Sequence, residues 1–208
     1  MKLGVPQSTF ERLTADGSLL ERVGNGVYRY IGAPLPDHLE LRVAWLQLAP
    51  EIPAWERTPG QGLVSHRSAA SLYGLGHLPA DVHEFTFGTR KQTRRADVRL
   101  HRRDLSKTKW INLHGLPVTR PAIIAADLLR DHQDPEAVAQ VVADAIRQVY
   151  DYPSTFAETL APFADRFHFR RDDGLAVLRW LLSVAGDPDT ARWLKEAEAS
   201  LRRSDRAS

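Results

Sequence analysis

Residues Leu19 to Ile31 constrain the fold more than any other stretch of this chain. Leu19-Leu20-Glu21-Arg22-Val23 and Val27-Tyr28-Arg29-Tyr30-Ile31 are short strand candidates, with Gly24-Asn25-Gly26 between them. Asn-Gly supplies the left-handed backbone that a tight turn needs, so this pattern predicts a β-hairpin. Just upstream, Ser8 and Glu11 have capping-box spacing and Gly17 can end the helix that follows. Phe10 and Leu13 fall i,i+3 on that helix and can face inward.

A turn, a helix and a hairpin in this order form the second half of a winged helix-turn-helix. In such a module the second helix enters the major groove and its first residues meet base edges. Gln7, Ser8, Thr9 and Arg12 are the expected readers. Arg22, Asn25 and Arg29 on the wing are expected to meet phosphate or the minor groove. The plainer alternative is a helix and hairpin that only pack on the rest of the chain. A complete module has one or two further helices before the turn. Met1 to Gly4 is about one helical turn. Either the start lies upstream or the module is truncated, which would weaken sequence-specific binding.

A chain of 208 residues fits a small module plus a main body. We expect the module over residues 1–33, a mixed α/β (α+β) body with C-terminal helices over 37–202, and a frayed tail over 203–208. Pro34 and Pro36 mark the linker, and Asp37 is placed to cap a helix carrying Leu39, Val43, Trp45 and Leu46. Pro50 to Gly62 reads as a loop. Ser65 is placed to cap a helix from His66 to Tyr73, ended by Gly74 and Gly76. Strand candidates follow at His83–Phe87, Val98–His101 and Trp110–Leu113. From Pro121 the pattern is helical. Asp134-Pro135 opens one helix, with Val138, Val141, Val142, Ala145, Ile146 and Val149 on one face. Asp172 or Asp173 opens the next, with Leu175, Leu178, Leu181, Leu182 and Ala185 inside and Gly186 at its end. Asp187-Pro188 opens the last, carrying Leu194, Ala197 and Leu201.

The formal net charge is only +2, so nucleic-acid binding would have to come from local patches. The strongest patch holds Arg90, Lys91, Arg94, Arg95, Arg99, Arg102, Arg103, Lys107 and Lys109 against Asp97 and Asp104. Arg90 to Arg95 reads as a hairpin loop and Arg102 to Lys109 as a second loop. Such loops can contact DNA phosphate, an acidic protein surface or a nucleotide triphosphate; a solvated charged sheet edge is the alternative. Cysteine is absent, which excludes disulfides, thiol catalysis and thiolate metal sites. No leader peptide or membrane span is expected, which fits a cytoplasmic protein. The histidines show no HxH or HExxH spacing, so no metal is expected. His66 is expected to orient the helix start. Ser65, His66 and Asp97 make a nucleophilic triad only on paper. No phosphate-binding glycine loop with its lysine appears.

Three stretches resemble the AbiEi family, the antitoxin half of AbiE-type (type IV) toxin–antitoxin pairs. They are Leu20 to Tyr28, Val64 to Leu75, and His114 to Ala122 continuing to Asp127-Leu128. Together they cover roughly Leu3 to Gln148. Many relatives carry Arg-Thr after the Pro-Ala of the third stretch, where this chain has Ile123-Ile124 and loses any polar role of that pair. The resemblance implies two activities: binding and repression of the operon's promoter, and restraint of a co-encoded nucleotidyltransferase-like toxin. No cofactor is implied for restraint by binding. Restraint by covalent modification, an atypical protein-kinase-like phosphoryl transfer, would need ATP and magnesium. A transcriptional regulator without a toxin partner is the third possibility.

Overall fold

The computed structural model describes residues 7–15 and 19–207 of a mixed α/β chain. It divides into two compact units, Met1–Gln61 and Gly62–Ser208. The division falls after Gln61, so the segment beyond residue 33 groups with the N-terminal hairpin.

In the first unit, α1 (Gln7–Ala15) packs on β1 (Leu20–Gly24), which pairs antiparallel with β2 (Val27–Tyr30). The expected turn is present, and Gly26 takes φ +70° within it. Ser8 lies inside α1 and not at its cap, because the helix already begins at Gln7. The next helix, α2 (Leu39–Leu48), buries Leu41, Val43, Ala44, Trp45 and Leu48. Asp37 does not cap it. His38 occupies the cap position at φ +54° with no side-chain bond, and Arg42 Nε donates back to the Asp37 carbonyl at 2.9 Å.

Gly24 explains how α2 approaches the hairpin: a Cβ there would collide with the Val43 side chain. Gln47 Nε2 then donates to the Asn25 carbonyl at 2.8 Å. The loop that follows α2 contains 3-10 turns at Ala54–Glu56 and Pro59–Gln61. Between them Arg57 turns back to α2. Its guanidinium donates to the carbonyls of Trp45, Leu46, Ala49 and Ile52 at 2.5–2.9 Å. It also lies over the Trp45 ring, 4.5 Å from the centroid. A helix end leaves its last carbonyls without helical partners, and one planar fork satisfies several of them here.

The second unit holds a five-stranded mixed sheet in the order β5-β4-β3-β7-β6. Its strands are β3 (Leu63–Val64), β4 (His83–Phe87), β5 (Val98–Arg102), β6 (Trp110–Leu113) and β7 (Leu116–Thr119). β4, β5 and β6 stand where the sequence pattern puts them. β3 and β7 were not expected, being a two-residue strand and a strand containing Pro117. β3 runs antiparallel to β4 and parallel to β7. β6 and β7 form a hairpin whose turn residues His114 and Gly115 both have positive φ, 52° and 79°, as type I′ geometry requires. β4 and β5 are parallel. The basic segment between them is therefore a crossover and not the hairpin loop expected from its turn-like composition.

Helices cover the sheet and extend beyond it: α3 (His66–Tyr73), α4 (Pro121–Arg130), α5 (Pro135–Arg147), α6 (Pro153–Leu160), α7 (Gly174–Val184) and α8 (Thr190–Ala207). Asp134 caps α5 through Glu136 N at 3.1 Å, and Asp173 caps α7 through Ala176 N at 2.9 Å. The apolar face of α5 is buried as its 3.6-residue spacing dictates, except for Val149, which lies past the helix end and is exposed. Gly174 lets α7 touch the α6 backbone at Ala157. The tail expected to fray continues as α8 through Ala207. Among the described residues no helix is long and apolar enough to cross a membrane.

Arg57→Ala should destabilise the first unit by about 2–3 kcal/mol, because it leaves several carbonyls unsatisfied at once. Arg57→Lys should recover only part of this, since an ammonium is a point donor. Thermal unfolding of both variants checks the assignment; equal stability of wild type and Arg57→Ala would refute it.

Candidate functional site

In the first unit, Ser8 and Arg12 are exposed on α1 and Thr9 is half-buried. The Gln7 side chain lies outside the described residues. On the hairpin, Arg22 Nε donates to the Gly24 carbonyl at 3.2 Å and its Nη2 donates to Asn25 Oδ1 at 3.0 Å. Arg22 thus braces the turn while staying exposed. Arg29 is half-buried and committed: Nε donates to Glu21 Oε2 at 2.7 Å and Nη1 to the Ala33 carbonyl at 2.9 Å. This makes Arg12 and Arg22 the better-presented cations of the set.

In the second unit, Arg90, Lys91, Arg94, Arg102, Lys107 and Lys109 are exposed. Lys91, Gln92, Thr93, Arg94 and Leu100 line an open cleft of about 510 Å³. Lys91 Nζ sits 5.1 Å from the centre of the Phe87 ring. Two residues expected to contact phosphate or a toxin are turned to other work. Arg95 is paired with Asp97, with Nε donating to Oδ1 at 2.9 Å. Arg103 points inward and is hydrogen-bonded to the buried Asp127. The reason is local: each cation finds a carboxylate that the charge pattern alone does not reveal.

The densest polar arrangement lies where α3, β4, β5 and the end of α4 meet. Ser65 precedes α3 but does not cap it with its side chain. Its Oγ instead accepts from Thr86 Oγ1 at 2.8 Å and meets His66 Nδ1 at 2.9 Å. Glu84 of β4 takes over the cap, its Oε2 accepting from Arg67 N at 2.9 Å. Glu84 Oε1 lies 3.2 Å from His101 Nε2 and 3.8 Å from Arg99 Nη1. Burial alone would raise the Glu84 carboxyl. The His101 hydrogen bond, the Arg67 amide and the neighbouring His66 and Arg67 outweigh it and hold the carboxyl below its ordinary range.

His66 and His101 stack, with centroids 3.6 Å apart and planes 14° apart. Asp127 lies beside His66, its Oδ1 bonded to Arg103 and, at 2.8 Å, to Arg130 Nη1. Its buried Oδ2 has no hydrogen bond among the described residues and lies 3.9 Å from His66 Nδ1. Burial, followed by the Arg130 charge, lowers the Arg103 guanidinium to about 10, with Asp131 opposing. His66 is held in the left-handed region at φ +52°, a conformation that costs energy in a non-glycine residue. Burial first, then His101, Arg103 and Arg130, push the His66 imidazole down to about 3, against the pull of Glu84. It is neutral at pH 7.

This cluster was missed from sequence because its members are spread from Ser65 to Asp131 with no motif spacing. His66 is the first residue of α3, and its ring belongs to this larger set, while the cap of the helix comes from Glu84. The paper triad is not assembled: Asp97 lies with Arg95 and His83, and Ser65 is fully buried. His66, His101 and Asp131 bring one donor atom each within 4.8 Å of one another. A set of two imidazoles and a carboxylate is thus formed in a chain whose spacing suggested no metal. No family model matches the chain, and no curated protein matches it.

The His66 environment sets a pH dependence. The unfolded chain takes up a proton near pH 6.5, whereas the folded chain resists until about pH 3. The unfolded state therefore binds more protons between those values. This contribution to stability is intact above pH 6.5 and is lost as pH falls toward 3, with a slope of up to about 1.4 kcal/mol per pH unit. Denaturant unfolding of chelator-treated protein across that window checks it, with His66→Gln expected to lose this component of the slope. The same slope in both proteins would contradict a buried neutral imidazole.

Proposed function

We propose that this chain is an antitoxin: a DNA-binding autorepressor whose larger unit restrains a co-encoded nucleotidyltransferase-like toxin. The observation that carries the DNA-binding half is the pairing of α1, with Ser8 and Arg12 exposed, with a β-hairpin whose Asn25-Gly26 tip is exposed. That is how a recognition helix and wing are built in a winged helix-turn-helix. The toxin half rests on the resemblance of the three sequence stretches to AbiEi antitoxins. The exposed basic crossover and loop, with Arg90, Lys91, Arg94, Arg102, Lys107 and Lys109, are the surface we assign to an acidic partner or to phosphate.

Each phosphate contact releases counterions, so losing one lowers the salt slope of log K by about 1. Arg12→Ala and Arg22→Ala should each do this on promoter DNA, measured by fluorescence anisotropy across a salt series. Arg29→Ala should instead lower stability, because that guanidinium bridges Glu21 and Ala33. Salt slopes unchanged in both Arg12→Ala and Arg22→Ala would remove the wing and helix from the DNA interface.

A second reading has a specific feature in its favour: the cleft at Lys91 and Arg94 has the charge to hold a polyphosphate. A chain that used it for phosphoryl transfer would leave the toxin modified. Co-expression with the neighbouring gene and intact-mass measurement of that product separates the readings. An unchanged mass with growth restored supports restraint by binding or repression. A gain of about 80 Da, one phosphate, supports modification.

A further inference from the structure

We propose that His66, His101 and Asp131 bind a single divalent transition ion of the zinc class, through His66 Nε2, His101 Nδ1 and Asp131 Oδ2. The proposal is independent of the antitoxin reading. Its first support is spacing. Asp131 Oδ2 lies 3.8 Å from His66 Nε2 and 3.9 Å from His101 Nδ1. These distances are too long for hydrogen bonds. They are close to what one ion imposes: arms of about 2.0–2.1 Å at a tetrahedral angle hold two ligand atoms about 3.3–3.4 Å apart. These two pairs need to close by about half an ångström, and the two ring nitrogens lie within 4.8 Å of each other.

The second support is the partners of the other ring nitrogens. His101 Nε2 faces Glu84 Oε1 at 3.2 Å, so Nε2 carries the proton and Nδ1 presents its lone pair toward Asp131. His66 Nδ1 faces Ser65 Oγ at 2.9 Å, and donation to that hydroxyl frees Nε2. Ser65 Oγ is itself fixed by Thr86. A second carboxylate or hydroxyl fixing the tautomer of each imidazole is the usual surround of a metal-binding histidine.

The third support is charge. Glu84 has Arg67 and Arg99 beside it, and Asp127 has Arg103 and Arg130. Asp131 has no arginine within ion-pair distance among the described residues, and its side chain is 30% exposed. It is the carboxylate left for a cation that enters from solvent. Two imidazoles favour zinc, cobalt, nickel or copper over magnesium or calcium. The stacked rings cannot both aim in-plane lone pairs at one ion, so one must turn. His101, 17% exposed at its side chain against 5% for His66, is the ring that would turn, about its Glu84 contact. The ion would join the start of α3, β5 and the C-terminal end of α4, and leave a fourth position for water or a partner's donor atom.

The test uses the full chain, stripped with chelator and free of any purification tag. Cobalt(II) is titrated while its visible d–d absorption is followed, and zinc(II) is then added. We expect one equivalent of bound cobalt, displaced by zinc. Asp131→Ala and His101→Gln should each weaken cobalt affinity at least about tenfold, and His77→Gln, outside the cluster, should leave it unchanged. Glu84→Gln should weaken it by about 10- to 100-fold and shift the cobalt bands, as loss of a ring's partner does. Circular dichroism of the metal-free variants confirms that they are folded. X-ray absorption of the zinc-loaded wild type needs no variant and should count two imidazoles. Failure to saturate with cobalt, equal affinity in wild type and Asp131→Ala, or fewer than two imidazoles on zinc would overturn the site.

Discussion

The Glu84 carboxylate, 1% exposed, is the charge around which the second unit is organised. It caps α3 through the Arg67 amide, meets His101 on β5, and stands beside the guanidinium groups of Arg67 and Arg99. A buried ion set of this kind is weak evidence for stability, because desolvation consumes most of the Coulombic gain. Removing one partner is a different matter and costs about 3–5 kcal/mol, since the remaining charge is stranded. The arrangement is thus better understood as fixing register. β4 cannot slide along β5 or α3 without leaving Glu84 unpaired, and the His101 Nε2 contact ties β5 to β4 for the same reason.

Arg57 does comparable work in the first unit by a different route. The unit is small and has little apolar area to bury. Its α2 ends in carbonyls that no following helix satisfies, and one guanidinium closes them while its flat face covers Trp45. At the other side of α2, Gly24 contributes by lacking a side chain, which brings Val43 and Gln47 onto the hairpin. A charged group and an absent one together hold a helix that hydrophobic burial alone would place loosely.

Local rules made much of this fold legible. The Asn25-Gly26 turn, the Asp134 and Asp173 caps and the apolar face of α5 depend on residues only a few positions apart, so their spacing carries the information. Long-range pairing was not legible. β3 has two residues and no periodicity to detect, β7 contains a proline, and nothing local tells a parallel β4–β5 pair from a hairpin. Ser65 looked like a cap because its type and position fit. Glu84, nineteen residues on in the chain, accepts from the Arg67 amide of the helix start instead. The histidine–carboxylate cluster was hidden for the same reason, as was the inward turn of Arg103 onto Asp127: partners close in space lie far apart in sequence.

The place of β3 in the sheet has a consequence for synthesis. Val64 is flanked by Phe85 on one side and Val118 on the other. A chain leaving the ribosome can close the first pair once Phe85 is made, but the second waits for about thirty more residues, until Val118. At roughly 5–20 residues per second that is an interval of a few seconds. During it, the strand that will be the middle of the sheet is an open edge, with Leu63 and Val64 uncovered. Open apolar edges recruit other strands. The nascent chain is therefore most exposed to mispairing before its hairpin at residues 110–119 arrives, and the brevity of β3 limits how much edge it offers in that time.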